Sequence, residues 1–325
     1  MKVCFVVLNL DHYKYFLSDL NEQESLLVLD KKYSVIREIA KRTSKGKEAP
    51  EWIFKATRWL MSKQIDIDNI DILVVTDLAQ IKLPRGFIRW LKKASPKLKT
   101  VMMFYNKAST LYGIDGNKSI DDFPDRDIML PFDMIYTYDP EEAEAFHFEY
   151  YTAISDVSKY MSIVQDVPES DVFYCGSIRH EWKGGRFEAV DRVYQYLSSN
   201  NVNCDFHLVF SKSLPLPDRK YAGTQRLTYL ETIKHTINAR AILEIVVEGQ
   251  YGVTERFYNA LMYNKKFITN NKSVLQHPYY DSRFMKVFED PSEIEIEWLL
   301  DDRPVNYNYD GKYTPKGMYE MLKQI

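Results

Sequence analysis

The sequence predicts an α/β protein of two domains, each a parallel β-sheet covered by helices. Three observations predict it. Apolar runs of strand length alternate with segments of helical periodicity through both halves of the chain, the pattern of parallel sheets joined by helical crossovers. A stretch of weak periodicity, Thr152 to Ser170, interrupts that alternation and ends in the polar DVPES. The length, 325 residues, suits two domains of ordinary size, each able to bury its own core. The division read from this is 1–160 and 161–325.

In order along the chain, KVCFVVLN is a buried strand starting almost at residue 1. Lys31 to Arg42 and Pro50 to Ser62 have helical apolar spacing, in the second through Trp52, Ile53, Ala56, Trp59 and Leu60, with the polar RTSKGKEAP as the loop between them. IDILVVTD is the next strand, GFIRWLKKA a helix and KTVMMFYN a strand. Lys107 to Asp127 is a long polar loop, FDMIYTYD a strand, and PEEAEAFHFEYY begins a helix with Pro140 and two acids where a helix start favours them. The second series is DVFYCGS, a helix from about Gly185 to Ser198, CDFHLVF, a helix from Leu227 to Asn238, and the strand AILEIVV. After these come a helix within VTERFYNALMYN, the strand KKFITNN, then VFED, a short helix around Ile294 to Leu300 and a last helix, PKGMYEMLKQI.

Composition narrows the function. Hydrophobic content of 45% and charged content of 27% are those of a soluble globular protein. The net charge of −3 argues against a dedicated nucleic-acid binder, whose footprint is basic. Aromatic content of 14%, with 24 Tyr, suits polar-rimmed pockets where ring faces meet a sugar or a base. Cys4, Cys175 and Cys204 are widely spaced without CxxC pairing, which reads as reduced thiols in a cytoplasmic protein. The N-terminus lacks a signal-peptide pattern, and no apolar run approaches the ~20 residues of a membrane span. Peripheral contact with the inner face of a membrane stays compatible with this.

The stretch from Arg240 to Asn271 is the most informative about chemistry. It reads as strand, Gly-containing loop, helix and strand, with Gly249 and Gly252 loosening the loop and Thr254 capping the helix. Such a unit aims backbone N–H groups and a positive helix end at whatever occupies the carboxyl edge of the sheet, a natural seat for phosphate. Glu255 and Arg256 lie on the first turn beside that seat. Arg256 is the sharper signal, because the helix dipole disfavours a cation there. Thr254 is also explained by capping alone.

The order DVFYCGS, Arg186 opening a helix, LTYLETI and GQYGVTERFYNALMYNKKFITNN resembles bacterial glycosyltransferases of the GT-B fold, more closely those of capsule, exopolysaccharide or lipopolysaccharide biosynthesis. The resemblance covers most of the chain, with its diagnostic part in the second half. It implies two Rossmann-like domains with parallel sheets facing a cleft, the last helix packing back on the first domain. It also implies metal-independent transfer of a sugar from a nucleotide diphosphate-sugar, bound as substrate with no cofactor, to a polysaccharide or glycolipid. Residue by residue, Gly176 and Ser177 would form the loop after the first donor-domain strand, near the phosphates. Arg179 or Arg186 would offset the diphosphate charge, and Thr254, Glu255 and Arg256 would line the donor. One position departs from the family. Many GT-B enzymes place an acid on this helix for the donor ribose, and here it is Asn259. Either Glu255 takes that task, donor binding differs, or activity is lost; the last option makes the chain a silent scaffold subunit of a polysaccharide-assembly complex.

Acceptor-side candidates are fewer. Asp11 and His12 follow the first strand and could deprotonate an acceptor hydroxyl, although a surface His beside a surface Asp explains them as well. Asn106 ends its strand and is a comparable candidate. Arg179, His180, Lys183 and Arg186 form a basic cluster after DVFYCGS, which as a solvated loop needs no ligand. His207 and His235 read as structural. The triplets Asp66-Ile67-Asp68 and Asp125-Arg126-Asp127 do not follow strands, and no His/Cys cluster has zinc spacing, so no metal is expected. No P-loop and no G-x-G-x-x-G or G-x-S-x-G motif is present.

Overall fold

The computed structural model describes residues 1–10, 26–44, 47–112, 129–151, 166–178, 185–246 and 252–324. The chain divides into two compact units, Met1–Ile154 with Lys312–Ile325, and Ser155–Gly311. Each is an α/β unit built on one parallel sheet.

In the first unit the strands are β1 (Val3–Leu8), β2 (Leu26–Leu29), β3 (Ile72–Thr76), β4 (Lys99–Phe104), β5 (Met134–Thr137) and β6 (Glu149–Tyr150). They pair in parallel in the order β2-β1-β3-β4-β5-β6. The crossovers carry α1 (Lys31–Ser44), α2 (Glu51–Met61), α3 (Asp77–Gln80), α4 (Phe87–Ala94), α5 (Ala108–Tyr112) and α6 (Pro140–Phe146). Central β3, ILVVT, is buried at every position, as a strand covered on both faces must be. The α6 start is fixed by Asp139, whose carboxylate accepts from Glu141 N at 3.0 Å and Glu142 N at 3.2 Å. The last helix of the chain, Pro315–Leu322, belongs to this unit, where Tyr151 Oη donates to the Lys312 carbonyl at 2.6 Å.

The second unit contains β7 (Ser170–Ile178), α7 (Gly185–Ser199), β8 (Cys204–Phe210), β9 (Ala222–Gly223), α8 (Tyr229–Asn238), β10 (Ala239–Glu244), α9 (Glu255–Tyr263), β11 (Lys266–Thr269), β12 (Met285–Val287) and α10 (Ile296–Leu300). The sheet order is β12-β11-β10-β7-β8-β9, all parallel. The winding reverses between β7 and β10. In doubly wound sheets the crevice outside the carboxyl ends at that reversal is where ligands bind.

Several elements differ from the sequence reading. β2, β6 and β9 are short strands that the apolar-run argument did not separate from their surroundings. The helix begun at Pro140 ends at Phe146: His147 takes a left-handed conformation at φ 55°, and Phe148 turns back to stack on Phe104 at 5.8 Å, releasing 149–150 as a strand. In α2 the buried side chains are Ile53, Phe54, Thr57 and Met61, while Trp52 and Trp59 are exposed. No helix among the described residues is long and apolar enough to cross a membrane.

Candidate nucleotide site

The residues at the reversal between β7 and β10 assemble around one buried carboxylate. Glu244 ends β10 with no exposed surface, in a strand whose other fully buried side chains, Ala239, Ala241, Ile242 and Leu243, are apolar. It accepts from Thr269 Oγ1, at the end of β11, at 2.6 Å, and from Thr254 Oγ1. Thr254 is also the N-cap of α9, accepting from Arg256 N at 3.2 Å. One threonine therefore ties the helix start to the end of the neighbouring strand.

The segment between β10 and α9 is anchored at both ends by the two asparagines after β11. Val246 N donates to Asn270 Oδ1 at 2.8 Å and the Asn270 amide returns a bond to the Val246 carbonyl at 3.0 Å. Asn271 Nδ2 donates to the Gly252 carbonyl at 2.7 Å. Gly252 has φ of +79°, a conformation that side chains other than glycine rarely adopt.

Two guanidinium groups reach this corner. Arg256, partly buried, donates from Nη2 to the Cys175 carbonyl and lies 5.7 Å from the centre of the Tyr174 ring. Arg186, on the first turn of α7, is close enough to feel the same groups. Burial holds its guanidinium below the usual pKa, and the charge of Arg256 adds to that effect while Tyr174 and Glu244 oppose it. Two like charges near one carboxylate leave the corner with positive charge to spare. That favours an anionic ligand at the open end of a capped helix.

Gly176 and Ser177 are a correction to the sequence reading. They lie within β7, not in a loop after it, because the ladder with β8 continues through Gly176–Leu208, Ser177–Val209 and Ile178–Phe210. The missing Cβ of Gly176 makes room for a neighbour: a methyl there would sit 2.5 Å from Tyr174 Oη and 2.9 Å from Cζ. Tyr174 is only 1% exposed and packs on Phe206 at 5.5 Å, so the ring has little room to yield. Gly176→Ala is expected to destabilise the protein by about 1–3 kcal/mol, read from a urea melt. A loss of only a few tenths would show that the tyrosine moves freely.

The remaining candidates separate. Glu255 is exposed and accepts from Tyr229 Oη at 2.8 Å. Asn259, one turn further along α9, is 5% exposed, and its Oδ1 is buried without a hydrogen-bond donor among the described residues. Asn106, in the first unit, turns its amide onto Asp77 Oδ2 at 2.9 Å, and its backbone N–H donates to the same oxygen at 2.9 Å. Asp77 is fully buried, and burial pushes its carboxyl pKa up. Asp11, His12 and Arg179, with His180 and Lys183, lie outside the described residues. Sequence reasoning missed Glu244, Asn270 and Asn271. A carboxylate inside AILEIVV was the available signal for the first, since a charge in a buried strand needs partners.

A polar cavity of about 340 Å³ lies at the opposite, amino-terminal edge of this sheet, lined by Ser170, Asp171, Asn203, Arg240 and Lys265 among others. It is remote from the start of α9 and the carboxyl ends of the strands around Glu244.

Comparison with solved structures places the fold. An α-glucosyltransferase in complex with UDP and a 13-mer DNA superimposes with a TM-score of 0.59 at 11% identity, covering 99% of this chain and 100% of that one. The fold is GT-B-like. An α,α-trehalose-phosphate synthase (UDP-forming) from Burkholderia vietnamiensis gives 0.51 at 8% identity, covering 100% of both chains. The S. aureus MnaA–UDP structure gives 0.50 at 12%, covering 100% of this chain and 96% of that one. No family model matches the sequence, and no curated protein does. At these identities the likeness defines architecture: two Rossmann-like units with parallel six-stranded sheets.

Proposed function

We propose that the chain is a glycosyltransferase that takes a sugar from a nucleotide diphosphate donor bound in the second unit and passes it to a surface polysaccharide or glycolipid. The observation that carries this reading is the pair of guanidiniums, Arg186 and Arg256, each acting on the other's charge, with Arg256 bonded to the Cys175 carbonyl of β7 beside the capped start of α9. In transfer, the bond between the anomeric carbon and the diphosphate oxygen breaks and a bond to the acceptor oxygen forms. Negative charge grows on the departing diphosphate, where fixed guanidiniums favour the transition state over the ground state. The acceptor proton passes to a base of the first unit, for which Asp11 and His12 are the sequence candidates. Asn259 Oδ1, a buried acceptor without a donor among the described residues, suits a ribose hydroxyl.

That same residue favours a second reading. With an amide where many relatives of this fold carry an acid, the chain could bind a nucleotide without turning it over, as a scaffold subunit.

A thermal-shift screen against nucleotide diphosphates and nucleotide sugars tests the first step, because a ligand of the folded state alone raises the apparent Tm. A rise with one nucleotide, followed by release of that nucleoside diphosphate from its sugar when acceptor is supplied, is expected. Binding without turnover selects the scaffold. No rise at millimolar ligand overturns both.

A further inference from the structure

We propose that Asp205, His207 and His235 form a binding site for one zinc-type transition-metal dication, separate from the nucleotide seat. Asp205 and His207 are two residues apart on β8, so their side chains leave the same face of the sheet. His235, in the last turns of α8, meets them there. The three ligand atoms lie within 4.8 Å of one another. Asp205 Oδ1 is 2.8 Å from His207 Nε2, and Oδ2 is 2.6 Å from His235 Nδ1. Ligands of a tetrahedral ion with N and O bonds near 2.0–2.2 Å sit about 3.4 Å apart, so shifts of well under an ångström open room for the ion. Two imidazoles and one carboxylate are a donor set suited to zinc and its neighbours rather than to calcium or magnesium.

The surroundings fit a resident cation. Phe173 stacks on the His235 ring at 5.5 Å with 15° between planes, which fixes the direction of its nitrogens. Asp205 turns one carboxylate oxygen to each ring, Oδ1 to His207 and Oδ2 to His235, so an ion seated among them meets an oxygen and two imidazole nitrogens. Side-chain exposures of 34% for His207, 22% for Asp205 and 13% for His235 leave a route in and space for water at the fourth position. His207 would bind through Nε2 and His235 through Nδ1, each as the neutral imidazole protonated on its other nitrogen.

The location assigns a role. Asp205 and His207 occupy the amino-terminal half of β8, whereas the nucleotide seat lies at the carboxyl ends of β7 and β10. An ion here would clamp α8, the helix leading into β10, to β8 on the far side of β7. It would stiffen the platform without touching the donor.

The test is titration of the chelator-treated full-length protein with Co²⁺, followed by visible absorption and by Tm, with Zn²⁺ as competitor. The expected result is saturation at one equivalent, displacement by Zn²⁺, and a Tm rise. His207→Ala and His235→Ala should each weaken Co²⁺ binding by about tenfold or more. His207→Gln, which keeps a polar partner for Asp205, should fold as wild type by circular dichroism and still lose the ion. Absence of saturable binding at one equivalent overturns the proposal and leaves a hydrogen-bonded His–Asp–His chain. Unchanged affinity in folded His207→Gln overturns it too, by placing the ion elsewhere.

Discussion

Glu244→Ala is expected to cost about 3–5 kcal/mol of stability, the scale for removing one partner from a buried charge arrangement. The carboxylate has no exposed surface and serves three elements at once. It accepts from Thr254 at the start of α9 and from Thr269 at the end of β11, while it closes β10 itself. It is also a counter-charge to both Arg186 and Arg256. Alanine would leave two hydroxyls without their acceptor and two guanidiniums without their anion. Glu244→Gln keeps the shape and one accepting oxygen but turns the other acceptor into an NH2 donor, so it should retain the packing while losing the charge and one of the two threonine bonds. The measurement is a pair of urea melts compared at constant m. If Glu244→Ala loses less than about 1 kcal/mol, the carboxylate is not what holds this corner together.

How far the sequence foretold this corner depends on what each feature needs. β1 and β3 announce themselves locally, because a central parallel strand covered on both faces is a continuous apolar run. β2, β6 and β9 do not: edge strands of two to four residues leave too few side chains for a period to register. Thr254 and Arg256 were legible as a helix start because capping is a matter of adjacent residues. What each of them touches was not, since Cys175 and Glu244 reach the helix only through sheet pairing. The two exposed tryptophans of α2 show the limit of periodicity. Trp52 and Trp59 share a face with helical spacing, yet Ile53, Phe54 and Met61 take the core, and apolar character alone does not say which stripe is buried. His207 and His235 stand 28 residues apart on a strand and a helix, so no spacing rule for metal ligands marks them; only the crossover brings them to one carboxylate.

Arg256→Ala is expected to weaken nucleotide diphosphate binding by about 1.5–3 kcal/mol, roughly 10- to 150-fold in Kd, if the second unit holds the donor as proposed. The guanidinium has five donors in a fixed fork, and one is engaged by the Cys175 carbonyl. Those not turned toward the strand are available to phosphate oxygens, and the bond to Cys175 removes much of the side-chain freedom that binding would otherwise have to freeze. Lysine separates charge from geometry. Arg256→Lys keeps the positive charge but has no planar fork, so it should recover part of the affinity while losing bidentate contact. Structural damage would read differently: Arg256→Ala also frees the Cys175 carbonyl, lowering Tm in the absence of nucleotide, whereas loss of the ligand contact lowers the nucleotide-induced rise at equal starting Tm. Isothermal titration of wild type and both variants with the nucleotide selected by the screen measures the affinity directly. Equal Kd in all three would remove Arg256 from the donor site and leave Arg186, with the helix start, as the source of positive charge.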